Sequence, residues 1–106
     1  MRKILFVLLI VVTSSPVYSA VIETPKSEIL LLYPTQEYLV FVTEYSNSLS
    51  TCNSSRRFRL DPLAPDYQIQ AAVLISAFMA NKEIKMYIDD AQPSDCAPIV
   101  NRFRVY

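Results

Sequence analysis

The chain has 106 residues, with 10 basic and 10 acidic side chains, two cysteines, seven prolines, and no glycine, histidine or tryptophan. That length allows one small domain. Without histidine there is no imidazole base or imidazole metal ligand. Without glycine there is no glycine-rich phosphate loop. The balanced charge argues against a nucleic-acid binder held by a basic surface.

Arg2 and Lys3 precede an unbroken apolar run, Ile4 to Val12, which Thr13, Ser14, Ser15 and Pro16 end. Val17-Tyr18-Ser19 then places compact residues at the two positions a signal peptidase reads. The pattern predicts a secretory signal peptide over residues 1–19, cut after Ser19, and a single domain over residues 20–106. The apolar run is far shorter than the ~20 residues of a spanning helix, so no membrane span is expected after cleavage. The expected location is secreted or periplasmic. In that oxidising setting Cys52 and Cys96, the only cysteines, have one possible pairing, and a disulfide is expected. A chain this small buries a thin core and benefits from such a staple.

Ser27 to Tyr33 reads SEILLLY between Pro25 and Pro34 and suits a well-buried strand. Tyr38 to Tyr45, YLVFVTEY, is a second strand by its β-branched and aromatic content, and the four polar residues between them predict a hairpin. Residues 46–55, SNSLSTCNSS, read as a loop carrying Cys52. Arg57 to Leu60 is a short third strand, with Phe58 and Leu60 on one face and Arg57 and Arg59 on the other. After the connector Asp61-Pro62-Leu63-Ala64-Pro65, Asp66 is the expected N-cap of a helix over Tyr67 to Ala80. Ile69, Ala72, Val73, Ser76 and Ala80 form one stripe of it, and Leu74, Ile75, Phe78 and Met79 widen the apolar surface. Such a helix is expected to be buried on most sides or to sit between the core and a partner chain. Asn81 is the expected left-handed cap, standing in for glycine. Ile84 to Ile88 alternates, with Ile84, Met86 and Ile88 inward. A polar loop with Cys96 follows. The last strand, Ile99 to Tyr106, would face Phe103 and Val105 to the core. The fold class is therefore mainly β with one helix. The order β-β-β-α-β-β matches a small OB-fold-like five-stranded barrel.

Cys52, RFRLDPLAP, YQIQAAVLISAFMANKEIKMYI, Asp95-Cys96 and NRFRVY together resemble a group of small secreted bacterial proteins. The arrangement is similar to the receptor-binding B subunits of subtilase-cytotoxin and pertussis-like AB5 toxins, over roughly Glu28 to Tyr106. The family commonly has a glycine between helix and fourth strand, and Asn81 stands near that point here. The resemblance rests on packing and cysteine motifs. It implies a secreted OB-fold that often forms a homo-oligomeric ring and, in the toxin branch, binds sialylated or other glycans. It transfers no binding residue.

No catalytic residue is expected. Asp89 and Asp90 are adjacent, which in a strand puts them on opposite faces, and no histidine is available to activate a serine. No metal and no cofactor are expected: Asp89, Asp90 and Asp95 share a loop but do not match the EF-hand template. Arg56, Arg57, Arg59, Arg102 and Arg104, with Phe103, Tyr106 and Tyr87, could line a single-strand groove. Export and a slightly acidic mature chain weigh against nucleic acid. Tyr45, Ser46, Asn47 and Ser48 supply a stacking face, hydroxyls and an amide of the kind a glycan uses, and are the candidate ligand-binding residues. The leading expectation is a non-catalytic exported binding protein whose partner is a glycan or a protein. The alternative is a small periplasmic inhibitor or accessory protein of an envelope complex.

Overall fold

A computed structural model describes residues 20–106, and the expected signal peptide lies outside the described residues. The chain is mainly β with one helix: β1 (Val21–Glu23), β2 (Ser27–Pro34), β3 (Leu39–Thr43), β4 (Arg57–Leu60), α1 (Tyr67–Met79), β5 (Glu83–Asp89), β6 (Ile99–Val100) and β7 (Arg102–Val105). One sheet holds all the described strands in the order β1-β5-β2-β3-β4-β6, with β7 also on β5. Seven strands thus replace the five expected. One addition is β1, and the other arises because the last predicted strand breaks at Asn101.

Thr24 explains how β1 and β2 share one neighbour. It is buried, its N–H donates to the Met86 carbonyl at 2.9 Å, and its Oγ1 accepts from the Met86 N–H at 2.9 Å. It thereby bridges the gap along β5 between the Glu23↔Tyr87 and Ser27↔Ile84 pairs. The expected β2–β3 hairpin is present. Thr35 closes its turn, with Oγ1 accepting from the Tyr38 N–H at 3.1 Å and donating to the Tyr38 carbonyl at 2.9 Å.

β2 corrects the expectation of a well-buried strand. Its register with β3 shifts between Ile29 and Leu31, and Leu30 and Leu31 are both exposed. An extra residue at a bulge breaks strict alternation, so an apolar run can bend outward. β3 is instead the strand buried along its whole length. Leu39 and Phe41 join the core. Val40 and Val42 are buried on the other face, where Tyr33 and Arg59 flank Val40 in register and Arg57 flanks Val42. The Arg59 guanidinium lies 4.6 Å from the Tyr38 ring centre, and that of Arg57 lies 5.8 Å from the Tyr33 ring. Long arginine stems and tyrosine rings give these valines apolar cover, and the Nε atoms of Arg57 and Arg59 are themselves buried.

The core collects Ile29, Phe41, Phe58, Leu60, Leu74, Ile84, Met86, Ile88 and Val100. The inward facing of Ile84, Met86 and Ile88 agrees with the alternation in the sequence. Phe103 packs against this core, but Val105 is exposed. The helix turns the expected way at its end: Asn81 has φ 56°, Lys82 N–H donates to the Ala77 carbonyl at 2.9 Å, and Asn81 N–H donates to the Phe78 carbonyl at 3.2 Å. This is a Schellman cap built on asparagine. The N-terminus departs from expectation, because the Asp66 side chain caps no backbone N–H and accepts from Gln70 Nε2 at 3.0 Å instead.

Candidate functional site

The Cys52–Cys96 disulfide is formed, joining the β3–β4 loop to the β5–β6 loop. A bonded pair in a small domain fits an oxidising location outside the cytoplasm. Around it the loop is tied down by hydrogen bonds, and Leu49 also packs against the core. Ser50 is buried, and its hydroxyl lies 3.1 Å from the Arg57 N–H, 3.3 Å from the Cys52 carbonyl and 3.4 Å from the Cys96 carbonyl. Thr51 N–H donates to the Asp95 carbonyl at 3.0 Å, and Asp95 N–H donates to the Leu49 carbonyl at 2.9 Å. Three consecutive residues, Asn53, Ser54 and Ser55, take φ of 52°, 57° and 65°. For residues with a Cβ this left-handed turn costs roughly 1–2 kcal/mol each, least for asparagine.

The four candidate ligand residues divide into two kinds. Tyr45 is half-buried, with its ring stacked 6.3 Å from Phe58, and its phenol oxygen accepts from Asn47 Nδ2 at 3.0 Å. Asn47 Oδ1 accepts from the Leu49 N–H at 2.9 Å, and its own N–H donates to the Ser55 carbonyl at 2.8 Å. Asn47 therefore holds the loop and leaves little of its amide for a ligand. Ser48 is exposed and Ser46 is exposed. An open hollow of about 440 Å³ is lined by Pro25, Lys26, Ser27, Glu44, Tyr45 and Ser46. It includes Tyr45 and Ser46 but neither Asn47 nor Ser48. Sequence reasoning missed Lys26 and Glu44, which β2 and β3 bring together: Glu44 N–H donates to the Glu28 carbonyl at 3.1 Å. Opposite charges one residue beyond paired strand ends were the available signal.

The remaining candidates make contacts within the chain. Asp89 Oδ1 accepts from the Ala91 N–H at 2.9 Å, and Asp90 Oδ1 accepts from the Ala20 N–H at 3.1 Å, so each carboxylate ties local backbone. Asp95 stands 4.0 Å from Arg59 instead. Among the described residues no group of three acidic or cysteine side chains is placed to hold a metal ion. Arg102 and Arg104 lie 4.7 and 5.6 Å from the Tyr87 ring centre, while Lys26 lies 4.5 Å from that of Tyr106. Tyr87 is buried beneath its two arginines, Tyr106 stays exposed beside Lys26, and Phe103 packs against the core. No described helix is long and apolar enough to cross a membrane.

Comparison with family models, curated proteins and solved structures finds no match.

Proposed function

We propose that the chain is an exported, non-catalytic binding protein of the small OB type, and that the hollow beneath Tyr45 takes a glycan. The strand pairings support the barrel part of this reading. β2 pairs with β3, β3 with β4, β4 in parallel with β6, β7 with β5, and β5 with β2. If β6 and β7 are one strand kinked at Asn101, whose N–H donates to the Tyr87 carbonyl at 3.0 Å, the circuit closes with five members. The likeness to toxin B subunits belongs to this proposal as well.

The hollow itself carries the functional reading. Its volume suits a small ligand, and its lining offers Glu44, the Ser46 hydroxyl, Tyr45 and Lys26, whose ammonium also lies 4.5 Å from the Tyr106 ring centre. A sugar presents many hydroxyls that both donate and accept, so it needs groups of both kinds close together. The disulfide and the Ser50 bonds hold the neighbouring loop in place, which limits the ordering cost on binding. On a glycan array the native protein should retain a subset of sugars, and Glu44→Gln with Lys26→Ala should lose them while still folding. An array without a bound sugar contradicts the reading.

A second reading, an inhibitor or accessory protein, rests on Leu63. This side chain is 88% exposed, between Pro62 and Pro65, on a turn where Asp61 Oδ1 accepts from the Leu63 N–H at 2.9 Å. An apolar side chain on a braced turn is a suitable anchor for a protein partner. Leu63→Asp would then abolish capture of a defined envelope protein and leave sugar binding intact.

A further inference from the structure

The two ends of the Cys52–Cys96 bond are chemically unequal. Arg57 Nη1 donates to Cys96 Sγ at 3.1 Å, and among the described residues no side chain donates to Cys52 Sγ. β4 and the loop before it set this contact. The Arg57 backbone pairs in register with Val42, and its N–H donates to the Ser50 hydroxyl at 3.1 Å. The guanidinium charge is also unspent. The ion pairs of the described residues are Arg59–Asp95 and Lys85–Glu23, so no described carboxylate neutralises Arg57. Its Nε is buried without a hydrogen-bond partner.

We propose that this asymmetry makes the disulfide a directional thiol-exchange site. A small thiolate attacks Cys52 Sγ, and Cys96 departs as a thiolate held by Arg57. The incoming sulfur uses its own electron pair to bond Cys52 Sγ, and the pair of the broken bond stays on Cys96 Sγ. The attacking thiol is oxidised as Cys96 is reduced, and no further oxidant or proton is consumed. Attack at the other sulfur would expel Cys52 instead, where no donor meets the developing charge.

The direction follows from leaving-group chemistry. A thiol leaves faster as its pKa falls, and an adjacent arginine lowers that pKa. The contact to a neutral sulfur is weak, but it becomes a charge-assisted hydrogen bond as negative charge develops on Cys96. Asp95, next in sequence, opposes a thiolate there. Its carboxylate is exposed and 4.0 Å from Arg59, so water and a second cation weaken that opposition.

The backbone favours the same direction. Cys96 is anchored on both sides. Asp95 exchanges backbone hydrogen bonds with Leu49 and Thr51, and Ala97 and Pro98 are buried. A departing Cys96 sulfur therefore stays beside Arg57 and can return. Cys52 instead begins the left-handed turn of Asn53, Ser54 and Ser55, and Asn53 and Ser54 are exposed. Both cysteines are half-buried, which suits a small thiol as the attacker.

The test maps the adduct. The oxidised protein is incubated with reduced glutathione, quenched with N-ethylmaleimide and digested with trypsin without reduction. Cleavage after lysine and arginine places Cys52 on peptide 27–56 and Cys96 on peptide 86–102. Glutathione on 27–56 with maleimide on 86–102 should exceed the reverse arrangement by about tenfold. Arg57→Gln, with the disulfide formed and the circular dichroism spectrum unchanged, should bring the two arrangements within about twofold. The ratio in the native protein decides the direction without any variant. Equal or reversed labelling there, or no glutathione adduct on either peptide, would overturn the proposal. So would a folded Arg57→Gln protein that keeps the full preference.

Discussion

In residues 46–56 apolar groups are few and hydrogen bonds crowd together, whereas α1 carries many apolar groups and covers few of them. The loop keeps a left-handed turn at Asn53, Ser54 and Ser55 because the Cys52–Cys96 bond and the Ser50 contacts hold both of its sides. The helix is attached to the sheet mainly through Leu74, Ala77 and the partly buried Tyr67, Ala71 and Phe78. Its other side contributes almost nothing to the fold of one copy. The comparison separates two uses of the same short chain. Covalent and polar ties hold one end beside a hollow, and the outer side of α1 leaves its apolar surface exposed.

The largest effect should come from the disulfide. Its two cysteines are 44 residues apart, and the loop-entropy model then gives on the order of 4 kcal/mol. Urea unfolding of the Cys52→Ser/Cys96→Ser protein should show a loss of about that size. A loss below ~1 kcal/mol would mean that hydrogen bonds alone hold the loop and would erase the contrast drawn above. On the helix, Leu74→Ala should cost about 3 kcal/mol by opening a core cavity. Ile69→Ala, 68% exposed, should change the stability of a single copy by no more than ~0.5 kcal/mol. Equal losses at both positions would show that the outer face is covered within one chain.

Smaller effects sharpen the same picture. Ser54→Gly relieves a Cβ in the left-handed region and should raise the unfolding free energy by on the order of 1 kcal/mol. A drop would mean that the serine side chain, not the backbone, holds the turn. Smallest is Asp90→Asn. Cleavage after Ser19 would turn the Ala20 nitrogen, 3.1 Å from Asp90, into an ammonium. The exposed ion pair so formed is worth less than ~1 kcal/mol. Comparing Asp90→Asn in chains that begin at Ala20 and chains that keep residues before it measures that increment, and an identical change in both would remove it.

Much of the architecture was legible because local rules and packing agree. RFRL and Ile84 to Ile88 alternate as half-buried strands do, and Asn81 occupies the left-handed cap in a chain without glycine. The cysteine pairing needed only compartment and count. Three features stayed hidden. SEILLLY is apolar throughout, so nothing in it marks the bulge that exposes Leu30 and Leu31. β1 is only Val21–Glu23 and is held by Thr24 bonds to β5, a partner far away in sequence. The helix is apolar on every side, so periodicity could not choose which stripe faces the sheet. At the candidate site, Tyr45 and Ser46 could be named from their chemistry. Lys26 and Glu44 become their neighbours only through strand pairing, and Asn47 withdraws because its amide is used by the loop.

The most direct test of the binding account is to follow backbone amide resonances of the isotope-labelled protein while adding sialylated and neutral oligosaccharides in turn. The account predicts saturable shifts for at least one sugar, centred on Lys26, Ser27, Glu44, Tyr45 and Ser46, with the outer residues of α1 unmoved. Spectra that stay unchanged with every sugar, or shifts centred on α1 and Leu63, would contradict it.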